Sequence, residues 1–461
     1  IPSVAHAFGG LDDKLIATLD LQRFGLSFDA KPMPTVCLSA TAGPLVLPNG
    51  YASPISGMTE EHLKNWQALL RTLSFQASVL KRFIASTPPQ PGERSLQLKA
   101  DGLKAALKMK RAGKDELREF LRMVLMPVAD IVDEAQIDPR LAGLLSFDAT
   151  LGIAVGPRSP TSILGLYYRL ATETGLPRVP SGGVSAVMDA FHKAAMASGA
   201  TFRFGTPVQR IMVDGGKVIG VVTASGEEIR ASRILSAISP VATFGTLVGP
   251  RLLDAGFARD IRNIRTKGNV TKLNLALQKR PPFDGAGSGT TRLVYAPSVD
   301  EVERSFNPSK YGELPATPCF EAVLSADGDP SVPGGASYLS VSVQNTVYDL
   351  KIGWKKGRSA LMKSVMATLQ QFSPGIGETV VASEVMAPPD IEERYHVPGG
   401  HWHHGEWQVD RLFFNRPVFG AANYRAPIDG LFICGAGTHP GGGVNGLSGL
   451  NAAREMIEAG K

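Results

Sequence analysis

The chain has 461 residues, of which 43% are hydrophobic and 20% charged, with a formal net charge of +6 and a pI near 9.1. That is an ordinary globular composition, long enough for two domains with sizeable cores. The basic residues are scattered and do not alternate with aromatics in blocks, which argues against nucleic-acid binding; a peripheral contact with an anionic membrane stays open.

Cys37, Cys319 and Cys434 are widely spaced and form no CxxC. They read as free thiols of a reducing, cytoplasmic compartment, with no disulfide framework and no zinc site. No apolar run reaches the roughly 18 residues of a membrane-spanning helix. The start, IPSVAH, has neither a basic region nor an apolar core, so it does not read as a signal peptide. With no initiator methionine, the sequence is expected to begin inside a longer gene product.

Residues 24–47 alternate loosely and include Pro32 and Pro34, which predicts short edge strands. Residues 59–86 carry Leu63, Trp66, Leu69, Leu70 and Leu73 at helical spacing. A proline-rich linker covers 87–93, and a short basic amphipathic stretch covers 96–109. From Asp115, read as an N-cap, Leu117, Leu121, Val124, Val128 and Val132 recur on one helical face. Such a face is core, a lid over a greasy substrate, or a patch that touches membrane. The apolar run 163–168 is core or pocket wall.

Residues 180–183, PSGG, open a helix with Val184, Val187, Phe191 and Ala194 on one side, ending near Gly199. Residues 201–208 read as strand and turn. The β-branched runs 210–213 and 218–223 flank Asp214, Gly215 and Gly216 as in a hairpin, and 229–237 closes a meander. A helical connection is expected over 239–265. Strands follow over 272–277, 336–343 and 380–386. A helix over 359–372 turns Leu361, Val365, Leu369 and Phe372 inward. Loops rich in Gly, Pro and Asp cover 281–289 and 325–335.

The end of the chain carries the densest signal. Residues 431–434 are a short apolar run of the buried-strand kind. It stops at Gly435, Gly437, Gly441, Gly442 and Gly443, and a helical pattern then runs to Ile457. In such a strand, loop and helix, glycines let the backbone approach a ligand closely. The N–H groups at the helix start favour an anion or a polar ring edge. A tight turn before a closing helix is the plain alternative. Upstream, His401, His403, His404 and Glu406 cluster. On an extended segment His401 and His403 share a face and His404 takes the other, so a metal would need further ligands. His439 lies inside the glycine loop, where it would orient a ring, move a proton near neutral pH, or cap backbone. No Gly-x-Ser-x-Gly, HExxH or P-loop is present, which leaves hydrolase and kinase readings weak.

Residues 430–453, GLFICGAGTHPGGGVNGLSGLNAA, resemble the C-terminal flavin-binding motif of the phytoene desaturase-like branch of the FAD-dependent amine oxidase and desaturase superfamily. Upstream, His404-Gly405-Glu406, 411–417 (RLFFNRP) and 424–430 (YRAPIDG) are similar to its phytoene dehydrogenase-related, or pyridine nucleotide-disulfide oxidoreductase domain-containing, subgroup. The likeness runs over nearly the whole chain and is most specific over 399–453. It implies an α/β, two-domain flavin oxidoreductase fold. A Rossmann-like FAD domain would be built from a remnant at 1–24, from 177–265 and from 399–461. A mixed-sheet and helical substrate domain would take 25–176, with a helical lid, and 266–398.

The resemblance further implies FAD as cofactor. Gly435, Ala436 and Gly437 would approach its ribityl and pyrophosphate. Val444, Asn445, Gly446 and Leu447 would lie at the pyrimidine edge with N–H donors over the helix start. Val208 would touch the adenine through its backbone, and His404 and His439 would lie near the ring. The implied reaction is hydride transfer from a small hydrophobic or amine-type molecule, by a desaturase, dehydrogenase or oxidase with no assigned base. A first βαβ unit with a GxGxxG turn is implied too. Residues 1–60 contain no strand followed by GxGxxG and a helix, and 11–26 resembles the segment just after that unit. A βαβ takes about 30 residues or more, so the unit is expected to be missing, removed or supplied elsewhere, which weakens the expectation of tight FAD binding by this chain. The alternative is a redox-inactive flavin-fold binding or assembly module. A third reading, from the basic amphipathic stretches between Leu96 and Val132, is a lipid-handling enzyme at a membrane surface. Substrate, electron acceptor and oligomeric state stay open.

Overall fold

Alternation of polar and apolar residues decides how the largest sheet is buried. The computed structural model describes residues 4–6, 10–29, 33–89, 96–172, 178–329 and 332–460. Pro32, residues 173–177, part of the 87–93 linker and part of the 325–335 loop lie outside them. In chain order the strands are β1 (Thr35–Cys37), β2 (Leu45–Leu47), β3 (Val208–Asp214), β4 (Lys217–Thr223), β5 (Glu228–Arg230), β6 (Ile234–Ser236), β7 (Val270–Leu277), β8 (Thr291–Tyr295), β9 (Phe320–Leu324), β10 (Ser337–Gln344), β11 (Val380–Met386) and β12 (Leu431–Ile433).

Seven strands form one sheet in the order β11-β7-β10-β9-β8-β1-β2, antiparallel except where β1 meets β8. One face carries Leu273, Leu275, Leu339, Val341, Val343, Leu293 and Phe320. It packs on the helix Trp354–Phe372 through Leu361, Val365 and Leu369, with Phe372 half-buried at the end. The opposite face carries Lys272, Asn274, Glu321, Arg292, Ser340 and Ser342 and is buried as well. The helix Pro139–Thr150 approaches it and sends Asp148 onto Arg292.

The helical layer rests on Glu60–Ala85, whose Thr59 hydroxyl accepts from the His62 N–H (3.2 Å). Trp66, Leu69 and Leu73 pack there against Ile131, Leu141, Leu145, Phe147 and Tyr167. The helix expected from Asp115 to Val132 is two helices, Lys114–Met123 and Val128–Ala135. Gly113 is the N-cap and Asp115 falls in the first turn. Pro127 ends the path because its ring cannot continue a helix. The single expected face is therefore divided: Val128 and Val132 are buried, and Leu117 and Leu121 are exposed. Among the described residues no helix is long and apolar enough to cross a membrane.

β3, β4 and β5 form the meander, with Gly215 and Gly216 both at positive φ (54° and 78°) in the two-residue turn. The stretch 229–237 does not close it as one strand. It splits into β5 and β6, and β6 pairs parallel with β12 (Leu431↔Ile234, Ile433↔Ser236). Residues 201–205 form no strand, because no neighbour offers them a ladder. Phe202 and Phe204 instead stack on each other in solvent (centroids 6.0 Å apart). Parallel strands normally have both faces covered; beside this isolated pair, Leu235 and Ile238 are exposed.

Candidate functional site

β12 runs into the glycine loop and then into the helix Leu447–Glu458. The loop crosses residues 237–240 so closely that side chains are excluded. A Cβ on Gly435 would lie 2.7 Å from the Ala237 carbonyl oxygen, and one on Gly437 would lie 2.4 Å from Pro240 Cδ. Internal bonds hold its shape. Gly435 N–H donates to Ser448 Oγ (3.1 Å), Gly442 N–H to His403 Nδ1 (3.1 Å) and Leu447 N–H to Asn445 Oδ1 (2.9 Å). Asn445, just before the N-cap Gly446, takes up the Leu447 N–H, which removes one of the donors expected at the ring edge. Asn445 Nδ2 also donates to Tyr168 Oη (3.0 Å). The N–H groups of Ala436, Gly437, Gly443 and Val444 have no acceptor among the described residues.

Arg416 anchors this loop from below. Its guanidinium donates to the carbonyls of His403 (2.7 Å), Ala436 (2.8 Å), Glu406 (3.1 Å) and Thr438 (3.3 Å). Burial pushes its pKa down to about 10.

The histidine segment is a turn, so the alternation expected for an extended strand does not hold. His404 N–H donates to the His401 carbonyl (2.7 Å) and His404 has φ 56°. His401 Nε2 faces Glu406 Oε1 (3.3 Å), and its Nδ1 accepts from the His403 N–H (3.2 Å). Burial pushes the His404 pKa down to about 4, and that of His403 well below its ordinary value. His439 is buried, donates through Nε2 to the Phe83 carbonyl (3.0 Å), and is pushed down to about 4 by burial. It caps backbone in this structure. Among the described residues no three His, Cys, Asp or Glu side chains are placed to hold a metal.

Two buried polar atoms have no partner among the described residues: Nδ1 of His404, whose Cβ lies 3.2 Å from where a Gly437 Cβ would be, and Oγ of Ser239, which precedes Pro240 in the chain. With the unpaired N–H groups of Ala436 and Gly437 they form a polar patch on a close-packed backbone. That patch suits the phosphate and ring edge of FAD. Val208 pairs with Thr223 and makes no hydrogen bond to that patch among the described residues. The end of the β3–β4 hairpin tied to the segment leading into β12 is the opposite one, where Val218 N–H donates to the Asp429 carbonyl (2.9 Å).

A cavity of about 380 Å³ opens beside Gly443 and Val444. Ile153, Tyr168, Trp402 and Trp407 give it an apolar wall, and Asp148, Arg169, Arg292, Glu321 and His6 a charged end. The charged end is built by sheet register: Lys272 on β7 lies opposite Ser342 on β10, which lies opposite Glu321 on β9. Arg292 bridges Glu321 (2.8 Å) and Asp148; Asp148 also accepts from Arg169 (2.8 Å) and the Tyr51 hydroxyl. His6 Nε2 lies 3.0 Å from Glu321 Oε1, and its Nδ1 faces both the Ser340 carbonyl oxygen (3.0 Å) and Lys272 Nζ (2.5 Å). Burial pushes the Lys272 pKa down to about 7. Burial would raise Glu321, but Arg292 and His6 outweigh it and hold the carboxyl well below its ordinary range.

None of these charged residues was a sequence candidate. Their signal is a polar or charged residue at alternate positions of β7, β8, β9 and β10, which looks like the wet face of a sheet.

Residues 63–457 match the family model described as flavin containing amine oxidoreductase. The chain is 30% identical over 394 residues to the mouse pyridine nucleotide-disulfide oxidoreductase domain-containing protein 2, covering 81% of this chain and 68% of that protein. It is 29% identical over 320 residues to the neurosporene-forming phytoene desaturase of Cereibacter sphaeroides, covering 68% and 59%. The matches thus span about two thirds or less of these curated relatives' lengths, 64% for the rat counterpart of the mouse protein. Among solved structures, putrescine oxidase bound to putrescine is similar with a TM-score of 0.58 at 13% identity, over 100% of this chain and 87% of that one. Cyclohexylamine oxidase from Brevibacterium oxydans gives 0.57 at 14% identity, over 98% and 86%. These two show the fold, a two-domain flavin oxidase architecture.

Proposed function

We propose, for a chain that belongs to the flavin containing amine oxidoreductase family and its phytoene desaturase-like branch, that it is an FAD-dependent oxidoreductase taking a hydride from a small apolar or amine-type molecule. The observation that carries this reading is the cavity beside Gly443 and Val444, apolar on one side and charged at one end. Gly435, Ala436, Gly437, Val444, Asn445 and Gly446 are the residues that would hold the cofactor, chiefly through backbone. When bound, FAD supplies the hydride-accepting ring. Ile153, Tyr168, Trp402 and Trp407 exclude water and place an apolar carbon skeleton. Asp148 and Glu321, fixed by Arg292, orient a polar end. His6 lines the cavity and stands between substrate and Lys272 Nζ, which, with its pKa near 7, can exist as the neutral amine at neutral pH and hold a proton relayed through His6.

The test is the visible spectrum of the purified protein, followed by anaerobic titration with amines and with polyenes. Flavin bands that bleach with one class fix the chemistry and the substrate class together. A second reading, a redox-inactive binding module, is favoured by the isolated parallel pair β6–β12 with Leu235 and Ile238 exposed beside it. Protein that takes up no added FAD would favour that module and sink the oxidoreductase.

A further inference from the structure

The helices Leu96–Ala112 and Lys114–Met123 carry apolar side chains on two opposite sides. On the inner side Ala105 and Met109 pack with Val79 of Glu60–Ala85, joined by Phe75, Phe83 and Phe120. On the other side Leu103 and Leu107, one turn apart, face solvent. Leu117 and Leu121 repeat that spacing in the next helix and Leu125 follows it. These five leucines are 42% to 70% exposed. Isolated exposed leucines are ordinary, but two successive i, i+4 pairs on adjoining helices are a patch.

At 100° per residue, Lys110 lies on one flank of the Leu103–Leu107 stripe and Arg111 and Lys104 on the other, while Lys114 and Arg118 border Leu117 and Leu121. Residues 102–125 hold seven Lys and Arg against three Asp and Glu, so four of the chain's six net positive charges lie here. Arg122 is neutralised by Glu119 and Glu134. Lys104, Lys110, Arg111, Lys114 and Arg118 have no carboxylate partner among the described residues. Leucine stripes edged by unpaired basic side chains match a surface that is greasy below and negative at its head groups.

We propose that this helix pair docks the protein on an anionic lipid surface, with Leu103, Leu107, Leu117, Leu121 and Leu125 entering the acyl boundary and the five free cations meeting the head groups. The inner side of the helix pair adjoins the candidate site through Phe83. Phe83 packs in the core under the helices, and its carbonyl holds His439 of the glycine loop. The docking reading does not depend on flavin being bound.

The test is co-sedimentation of the full chain with vesicles of phosphatidylcholine, with and without phosphatidylglycerol, at low and high salt. Binding is expected only with the anionic lipid and should weaken with salt. Reversal of Lys104 and Lys110 to Glu should lower partitioning by about fivefold or more for each charge. Leu103→Ser with Leu107→Ser and Leu121→Ser should lower it roughly tenfold or more, while the thermal midpoint is kept because these side chains are exposed. Failure to bind anionic vesicles at low salt would overturn the proposal, as would binding indifferent to the leucine changes. Leucine variants that abolish self-association and leave vesicle binding intact would mark the face as a contact between copies, and would also overturn it.

Discussion

Replacing Lys272 with Met should make the protein more stable at neutral pH and inactive. Lys272 is 2% exposed, and burial moves its pKa from 10.5 to about 7. At 1.36 kcal/mol per pH unit that corresponds to about 5 kcal/mol of disfavoured charge at pH 7. Methionine removes that term but also the hydrogen bonds to His6 Nδ1 (2.5 Å) and Ser342 Oγ (3.2 Å). Their loss costs about 2 kcal/mol, leaving a net gain of about 3 kcal/mol. The pH dependence carries a definite sign. Between about pH 7 and 10.5 the unfolded chain binds the lysine proton and the folded chain does not, so this residue's contribution to stability rises with pH across that window and is lowest below it. The advantage of the variant should therefore be largest at pH 7 and shrink by about 1.4 kcal/mol per unit above it. Urea unfolding of both proteins at several pH values between 7 and 9 reads the difference, and the common titrations of other groups cancel. Substrate-driven bleaching of the flavin, measured alongside, should vanish in the variant. A variant less stable at pH 7, or a difference that does not move with pH, would refute the assignment of Lys272 as a buried, easily neutralised amine.

Gly437→Ala places a Cβ 2.4 Å from Pro240 Cδ, so the loop must shift at about 1–3 kcal/mol and flavin per mole of protein should fall; unchanged flavin content would falsify the placement of the cofactor at this loop. Asp148→Asn takes the charge from a buried acceptor shared by Arg292, Arg169 and Tyr51, and the urea midpoint should report a loss of about 3–5 kcal/mol. Arg416→Met removes the donors that bind the carbonyls of His403, Ala436, Glu406 and Thr438. It should cost about 3 kcal/mol or more and release flavin.

What the sequence made legible is what depends on local pattern. The strand over 380–386 and β11 coincide, and the Asp214-Gly215-Gly216 turn is the hairpin turn, because two consecutive positive φ angles need residues of that kind. The strand, loop and helix at the C-terminus follow from an apolar run, glycines and a helical period. The departures have physical causes of a different kind. Residues 201–205 have the composition of a strand but no neighbour to pair with, and strand propensity without a ladder does not make a strand. Pro127 divides one helical path into two, because apolar spacing continues across a proline that the helix itself cannot. The period of an extended chain does not apply to His401, His403 and His404, because Gly399, Gly400 and Gly405, all at positive φ, bring the segment round into a turn.

The charged end of the cavity shows why the candidate site was harder to read than the fold. Lys272, Arg292 and Glu321 are far apart in the chain and meet only through the registers of β7, β10, β9 and β8, which no local window contains. Each strand taken alone, such as TKLNLAL or SYLSVSVQ, alternates as though one side faced water. The residues on that side argue otherwise. A wet face tolerates any polar residue, whereas here Ser340 donates to Asn274, Arg292 to Glu321 and Lys272 to Ser342, side chain to side chain across strands. Mutual satisfaction of that density is what burial demands of polar groups. A sheet with one apolar and one internally bonded polar face, both covered, sets its charged groups against one another rather than against solvent. That arrangement, more than any single motif, is why we propose the cavity beside this sheet and the glycine loop as the place of the chemistry.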